Sequence, residues 1–102
     1  IHTDTPVTPI NQLYSVWSAT NRISTGGNVI GAEQRIPAEE ALKAATLYAA
    51  WQAFEEDNRG SIEPGKLADV IVLSDNPLNV PDKIRDINVL ATYVGGNQVY
   101  KR

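Results

Sequence analysis

Gly60-Ser61-Ile62-Glu63-Pro64-Gly65-Lys66-Leu67-Ala68-Asp69-Val70-Ile71-Val72-Leu73 is the stretch on which the fold turns. It begins where a long helical pattern stops and runs into the most apolar segment of the chain. Glu63-Pro64-Gly65-Lys66 predicts a type II turn: proline presets φ at the second position and glycine accepts positive φ at the third. Val70, Ile71, Val72 and Leu73 then follow without a polar residue, and the first three are β-branched. Such a run predicts a strand covered on both faces.

Upstream of this stretch the periodicity is helical. Thr8 and Pro9 suit a helix cap and first turn, and Ile10, Leu13, Val16 or Trp17, and Thr20 recur at helical spacing to about residue 21. Residues 22–36 read as a loop around Gly26-Gly27-Asn28. The spacing of Gly26, Gly27 and Gly31 fits neither the dinucleotide nor the P-loop pattern, so a surface turn is expected rather than a phosphate cradle. Residues 37–57 predict one long helix, with Pro37, Glu39 and Glu40 at its start and Gly60 as the residue just past its end. Between Ala41 and Phe54 only Lys43, Thr46 and Gln52 are polar. A helix so apolar around its circumference needs cover on more than one side, and its alanines allow close approach.

Downstream of the stretch, Asp75-Asn76-Pro77 breaks the strand and residues 81–84 suit a single helical turn. Residues 87–94 read as a strand, Gly95-Gly96-Asn97 as a tight turn, and 98–100 as a return strand. The fold class is therefore α+β: two helices followed by short strands.

Composition narrows the function classes. The chain has 102 residues, 42% hydrophobic and 21% charged, with a net charge of −3 and no basic run. Nucleic acid and anionic membrane are poor partners for such a surface. With no cysteine, there is no disulfide framework, thiolate metal site or cysteine nucleophile. No apolar segment approaches the ~20 residues that span a bilayer, and Ile1-His2-Thr3-Asp4 has no signal-peptide character. A cytoplasmic location is expected on that basis. The chain contains no methionine and opens abruptly, so it reads as a fragment of a longer protein.

Few residues could carry chemistry. His2 is the single histidine, a surface residue or, by its chemistry, a ligand or acid/base. Asp4, between Thr3 and Thr5 and before Pro6, is by chemistry a helix-region cap, a metal ligand or a general base. Its spacing makes it a loop carboxylate. Glu55-Glu56-Asp57 reads as the solvated end of the 37–57 helix. No nucleophile has a base beside it in sequence.

Thr3-Asp4-Thr5-Pro6-Val7-Thr8-Pro9, Gly31-Ala32-Glu33-Gln34-Arg35-Ile36 and Glu40-Ala41-Leu42 resemble the C-terminal third of the metal-dependent amidohydrolases, in the branch that includes N-substituted formamide deformylase. So do residues 60–73, Asn76-Pro77-Leu78 and Val94-Gly95-Gly96-Asn97-Gln98-Val99-Tyr100. The segments cover nearly the whole chain in family order. Gly65-Lys66-Leu67-Ala68-Asp69 is shared across the wider superfamily; the Thr-Asp-Thr-Pro-Val segment is narrower. The resemblance implies a (β/α)₈ barrel joined to a small composite β-sandwich, with residues 1–59 at the end of the barrel and 60–102 in the sandwich.

It also implies a function: hydrolysis of a non-peptide carbon–nitrogen bond in a small amide-type substrate, aided by a divalent metal, usually zinc. Asp4 stands where the family keeps the aspartate that contacts the metal and handles the proton of the attacking water. Thr3 replaces a frequent serine, Pro37 a frequent serine or threonine cap, and His2 matches no family role. The family's paired and later histidines and its bridging group fall outside this sequence. The piece alone is therefore expected to be inactive and metal-free, with the remainder of the barrel as its partner. Exposed helix faces and strand edges also predict self-association as a homo-oligomer. The competing reading is a non-enzymatic α+β module that binds a protein through exposed apolar helix faces. A dedicated zinc-binding domain is disfavoured by one histidine and no cysteine.

Overall fold

Asn11, not Thr8, starts the first helix. In the computed structural model, which describes residues 1–102, the Asn11 side-chain oxygen accepts the Tyr14 N–H at 3.2 Å from an extended backbone (φ −146°). Helix α1 then runs Gln12–Asn21. Thr8 is unavailable because its hydroxyl donates to the Thr3 carbonyl in the preceding loop. Arg22 ends α1 in a left-handed conformation (φ 56°), its N–H bonded to the Ser18 carbonyl at 2.8 Å. The guanidinium of Arg22 reaches the Ile30 carbonyl and the Gln34 side chain, both at 3.0 Å, so the 22–36 loop is tied back to the helix end.

The long helix expected at 37–57 is two short ones, α2 (Ala38–Ala45) and α3 (Leu47–Gln52). The break falls at Thr46 (φ −126°, ψ −88°), whose hydroxyl donates to the Leu42 carbonyl at 2.8 Å. Such back-bonding competes with regular helix geometry. Helix α3 closes with paired bonds, Glu55 N–H to the Ala50 carbonyl at 2.9 Å and Phe54 N–H to Trp51 at 3.0 Å. That is a Schellman ending, and its left-handed position is held by Phe54 (φ 57°) rather than by Gly60. Gly60 has another task. A Cβ there would lie 2.7 Å from the Ala50 Cβ and 3.0 Å from the Leu47 Cα, so glycine lets the returning chain press onto α3. Glu55, Glu56 and Asp57 accordingly lie in a turn beyond the helix, with Glu55 taken up by Arg59 and Asn58.

The type II turn is present, with Gly65 at φ 92° and the Lys66 N–H bonded to the Glu63 carbonyl at 3.2 Å. It leads into an antiparallel sheet of order β1-β2-β3: β1 (Val70–Leu73), β2 (Val89–Val94) and β3 (Asn97–Lys101). Val70 pairs with Tyr93, and Val94 with Asn97 across the Gly95-Gly96 turn. Both turn glycines have positive φ (56° and 82°), the requirement of the tightest hairpin connection. The double cover expected for 70–73 is not found: β1 is an edge strand, and Ile71 is 51% exposed. These 102 residues cover it only in part, at Val70 and Leu73.

The core gathers Val16 and Trp17 of α1, Ala41 of α2 and Ile84 of a 3₁₀ segment, Pro81–Asp86. Only eight residues are buried in all. The accessible surface is 7144 Å², against roughly 5,700 Å² for a compact monomer of this mass. The radius of gyration, 14.3 Å, likewise exceeds the ~13 Å of a compact 100-residue domain. The excess is on the scale of an inter-domain interface.

Candidate functional site

The loop before α1 is bonded chiefly to itself. Asp4 occupies the left-handed region (φ 51°), a conformation that aspartate tolerates better than most residues. Its N–H donates to His2 Nδ1 at 3.2 Å, and its carbonyl accepts the Val7 N–H at 2.8 Å. The Thr3 and Thr5 hydroxyls lie 2.7 Å apart, Thr5 donates on to the Thr8 carbonyl at 3.3 Å, and Thr8 returns a bond to Thr3. The threonines that look interchangeable in sequence therefore knit the loop. Gln12 adds a bond from α1 to the Ile1 carbonyl at 3.4 Å.

Against this web, the Asp4 carboxylate makes no hydrogen bond or ion pair, and the residue is exposed. Between loop and helix lies an open groove of about 400 Å³, lined by His2, Thr3, Thr8, Tyr14, Ser18 and Arg22 among others. Sequence spacing places His2 and Asp4 near one another; it does not reveal that the imidazole holds the aspartate's backbone.

The other candidates resolve into structural roles. Gly27 sits in a turn closed by its own N–H to the Ser24 carbonyl at 2.9 Å, under the Ile23–Val29 bridge, and forms no anion cradle. Perturbed ionisations lie on the surface, away from the loop. Tyr48 donates to Glu40 at 3.0 Å; that bond, then Lys43, holds the Glu40 carboxyl below its ordinary range. Lys43 donates to the Glu39 and then the Glu40 carboxylate, and these bonds push its pKa up to about 12. Lys66 and then Ser61 lower Glu63 within the type II turn.

No three His, Asp or Glu side chains converge on a point that could hold a metal ion. Asp4 offers one free carboxylate, and one donor is not a site. The 102 residues therefore do not fit a metal on their own.

The apolar surface is the other notable feature. Trp51 is 64% and Phe54 90% exposed at the end of α3, and Ile62 is 90% exposed in the segment after it. Ile1, Ala44, Tyr48 and Trp51 line a second open groove of about 450 Å³ along α2 and α3. No helix is long and apolar enough to cross a membrane.

Comparison with known proteins gives this arrangement its context. A model described as the amidohydrolase family matches residues 1–100. The chain is 43% identical over 98 residues to protein LONG AFTER FAR-RED 3 of Arabidopsis thaliana, covering 95% of this chain and 17% of that one. It is 33% identical over 88 residues to N-substituted formamide deformylase of Arthrobacter pascens, covering 85% and 16%. Among solved structures it is similar to an amidohydrolase from Thermotoga maritima, with a TM-score of 0.70 and 29% identity over 97% of this chain and 22% of that one. The chain thus spans about a fifth or less of the length of the curated relatives it matches.

Proposed function

The chain belongs to the amidohydrolase family, and from that premise we propose that it is the C-terminal portion of a hydrolase that cleaves a non-peptide carbon–nitrogen bond. Residues 1–59 close the catalytic barrel, and residues 60–102 belong to a small sandwich domain. The observation that carries this reading is the Asp4 carboxylate, free of protein partners on a loop whose backbone is bonded on both sides. A general base needs that combination: a fixed origin and an unspent acceptor.

Asp4 takes a proton from the attacking water as its oxygen adds to the amide carbonyl carbon. It returns that proton to the nitrogen as the C–N bond breaks, leaving a carboxylic acid and an amine. A divalent ion, zinc by family likeness, would be held chiefly by side chains that the rest of the parent supplies, with Asp4 as the single ligand this chain would add, and would polarise the scissile carbonyl. The similarity to N-substituted formamide deformylase supports N-substituted formamides as the first substrate class to try.

The large accessible surface, with Trp51, Phe54 and Ile62 exposed, supports the remainder of the parent barrel as the partner of this piece. The isolated piece is inactive. The test is hydrolysis of a panel of N-substituted formamides and N-acyl amines by the full-length protein and by residues 1–102 alone. Turnover by the full-length protein only is the expected result. Absence of turnover on every member favours a non-enzymatic interaction module built on the same apolar surface.

A further inference from the structure

We propose that His2 is a positioning residue for Asp4, an inference that rests on the reading of Asp4 as the general base. The Asp4 carboxylate has no hydrogen-bond partner in this chain, so its direction is set by its backbone alone. That backbone is tied on two sides. On the carboxyl side the Val7 N–H holds the Asp4 carbonyl at 2.8 Å; on the amino side the only tie is the bond from the Asp4 N–H to His2 Nδ1 at 3.2 Å.

The remaining loop bonds, among Thr3, Thr5 and Thr8, close the loop around Asp4 without touching its N–H. An Nδ1 that accepts belongs to a neutral ring with its proton on Nε2, which faces away from this bond. Removing the acceptor frees one side of a residue in the left-handed region (φ 51°), where the backbone has no preference of its own to stay. The carboxylate then samples other directions, and misplacement of a reacting group by about 1 Å is enough to cost on the order of a hundredfold in rate. His2 touches neither substrate nor reacting atoms; it acts through Asp4.

Two substitutions separate the acceptor from the ring. His2→Asn keeps an oxygen that can accept an N–H two residues on, as asparagine does in local turns. His2→Phe keeps a ring and loses the acceptor. In the full-length protein, with the best substrate of the panel above, His2→Phe is expected to lower kcat about tenfold or more with KM changed less than twofold. His2→Asn is expected to stay within about threefold, the rescue that a merely structural ring would not give.

Amide exchange at Asp4, read by mass spectrometry on the N-terminal peptide of this region, is expected to quicken about tenfold in His2→Phe and not in His2→Asn. If His2→Phe folds poorly by thermal melting, His2→Ala repeats both readings without the bulk. Unchanged kcat and exchange in the acceptor-less variants overturns the inference, as does equal loss in His2→Asn and His2→Phe. Asp4→Asn serves as the control. Full activity there overturns the reading of Asp4 itself, whereas its inactivity beside a normal His2→Phe overturns only the positioning role.

Discussion

The indole Nε1 of Trp17 donates to the carbonyl oxygen of Asp82 at 2.8 Å, joining residues 65 positions apart. Asn21 repeats the link one turn later with a bond to the Pro81 carbonyl at 2.9 Å, and the Arg85 guanidinium lies 4.2 Å above the Trp17 ring. Ile84, from the same short segment, completes the core against Val16 and Ala41. A small 3₁₀ turn docked on α1 thus ties the strand-rich half of the chain to the helical half, beside the packing of Gly60 on α3.

Trp17→Phe keeps most of the apolar volume and removes the donor, leaving the Asp82 carbonyl short of a partner and weakening the cation–π contact. Unfolding in urea should show a loss of about 1–3 kcal/mol. A change within experimental scatter would mean that the docked turn contributes little.

Phe54 separates the isolated chain from its parent. As a bulky residue in the left-handed position of the Schellman ending, it costs roughly 1–2 kcal/mol relative to a conformation it prefers. Phe54→Gly should therefore raise the melting temperature of residues 1–102. In the full-length protein the same substitution should lower it if, as proposed, the rest of the barrel covers the ring, which is 90% exposed in this chain. The same sign in both proteins would contradict the proposed burial.

Gly60 and Gly65 both have positive φ, yet they differ in what surrounds them. A Cβ at Gly60 meets Ala50 at 2.7 Å, while at Gly65 nothing lies within 4 Å. Gly65→Ala should cost about 1 kcal/mol through backbone strain, and Gly60→Ala about 1–3 kcal/mol more through overpacking. Denaturant midpoints of the two variants check the order.

Alkaline titration tests the α2–α3 surface. The Glu40 hydrogen bond raises the Tyr48 pKa above its usual value, and Glu39 and Glu40 raise Lys43 to about 12. Both groups are raised in the folded state. Their stabilisation is therefore complete below the unfolded values, near 10, and is lost as pH rises through the folded ones. Both are exposed, so each effect is small. Phenolate absorbance should show one of the four tyrosines ionising late, and Glu40→Gln should bring it back toward the others. Superimposable curves would count against the bond.

What could be read from sequence follows how local each determinant is. Pro64-Gly65 and Gly95-Gly96 dictate their turns through their own backbone preferences, and both turns are found where expected. The break at Thr46 is only partly local: its hydroxyl bond to Leu42 spans four residues, but the chain that returns at Gly60 to press on α3 comes from beyond the helix, and periodicity alone merges the two helices into one. Thr8 and Asn11 are both good caps, and the bond from Thr8 to Thr3 within the preceding loop decides between them. The apolar run 70–73 signals burial on both faces, while this chain provides cover for little of it. Asp4 is legible only as a loop carboxylate; its assigned role comes from family resemblance. The His2 bond, spanning two residues, is the kind of local signal that could have been found by asking which acceptor serves the Asp4 N–H.

The proposed role of Asp4 is tested most directly by kcat/KM of Asp4→Asn in the full-length protein, measured on its best amide substrate beside the parent. A group that moves the proton in the rate-limiting chemistry is worth ~10²–10⁴-fold. A fall of that size, with the melting temperature unchanged, is the predicted result. A rate within about threefold of the parent would contradict it, because a general base cannot be replaced by an amide at so small a loss.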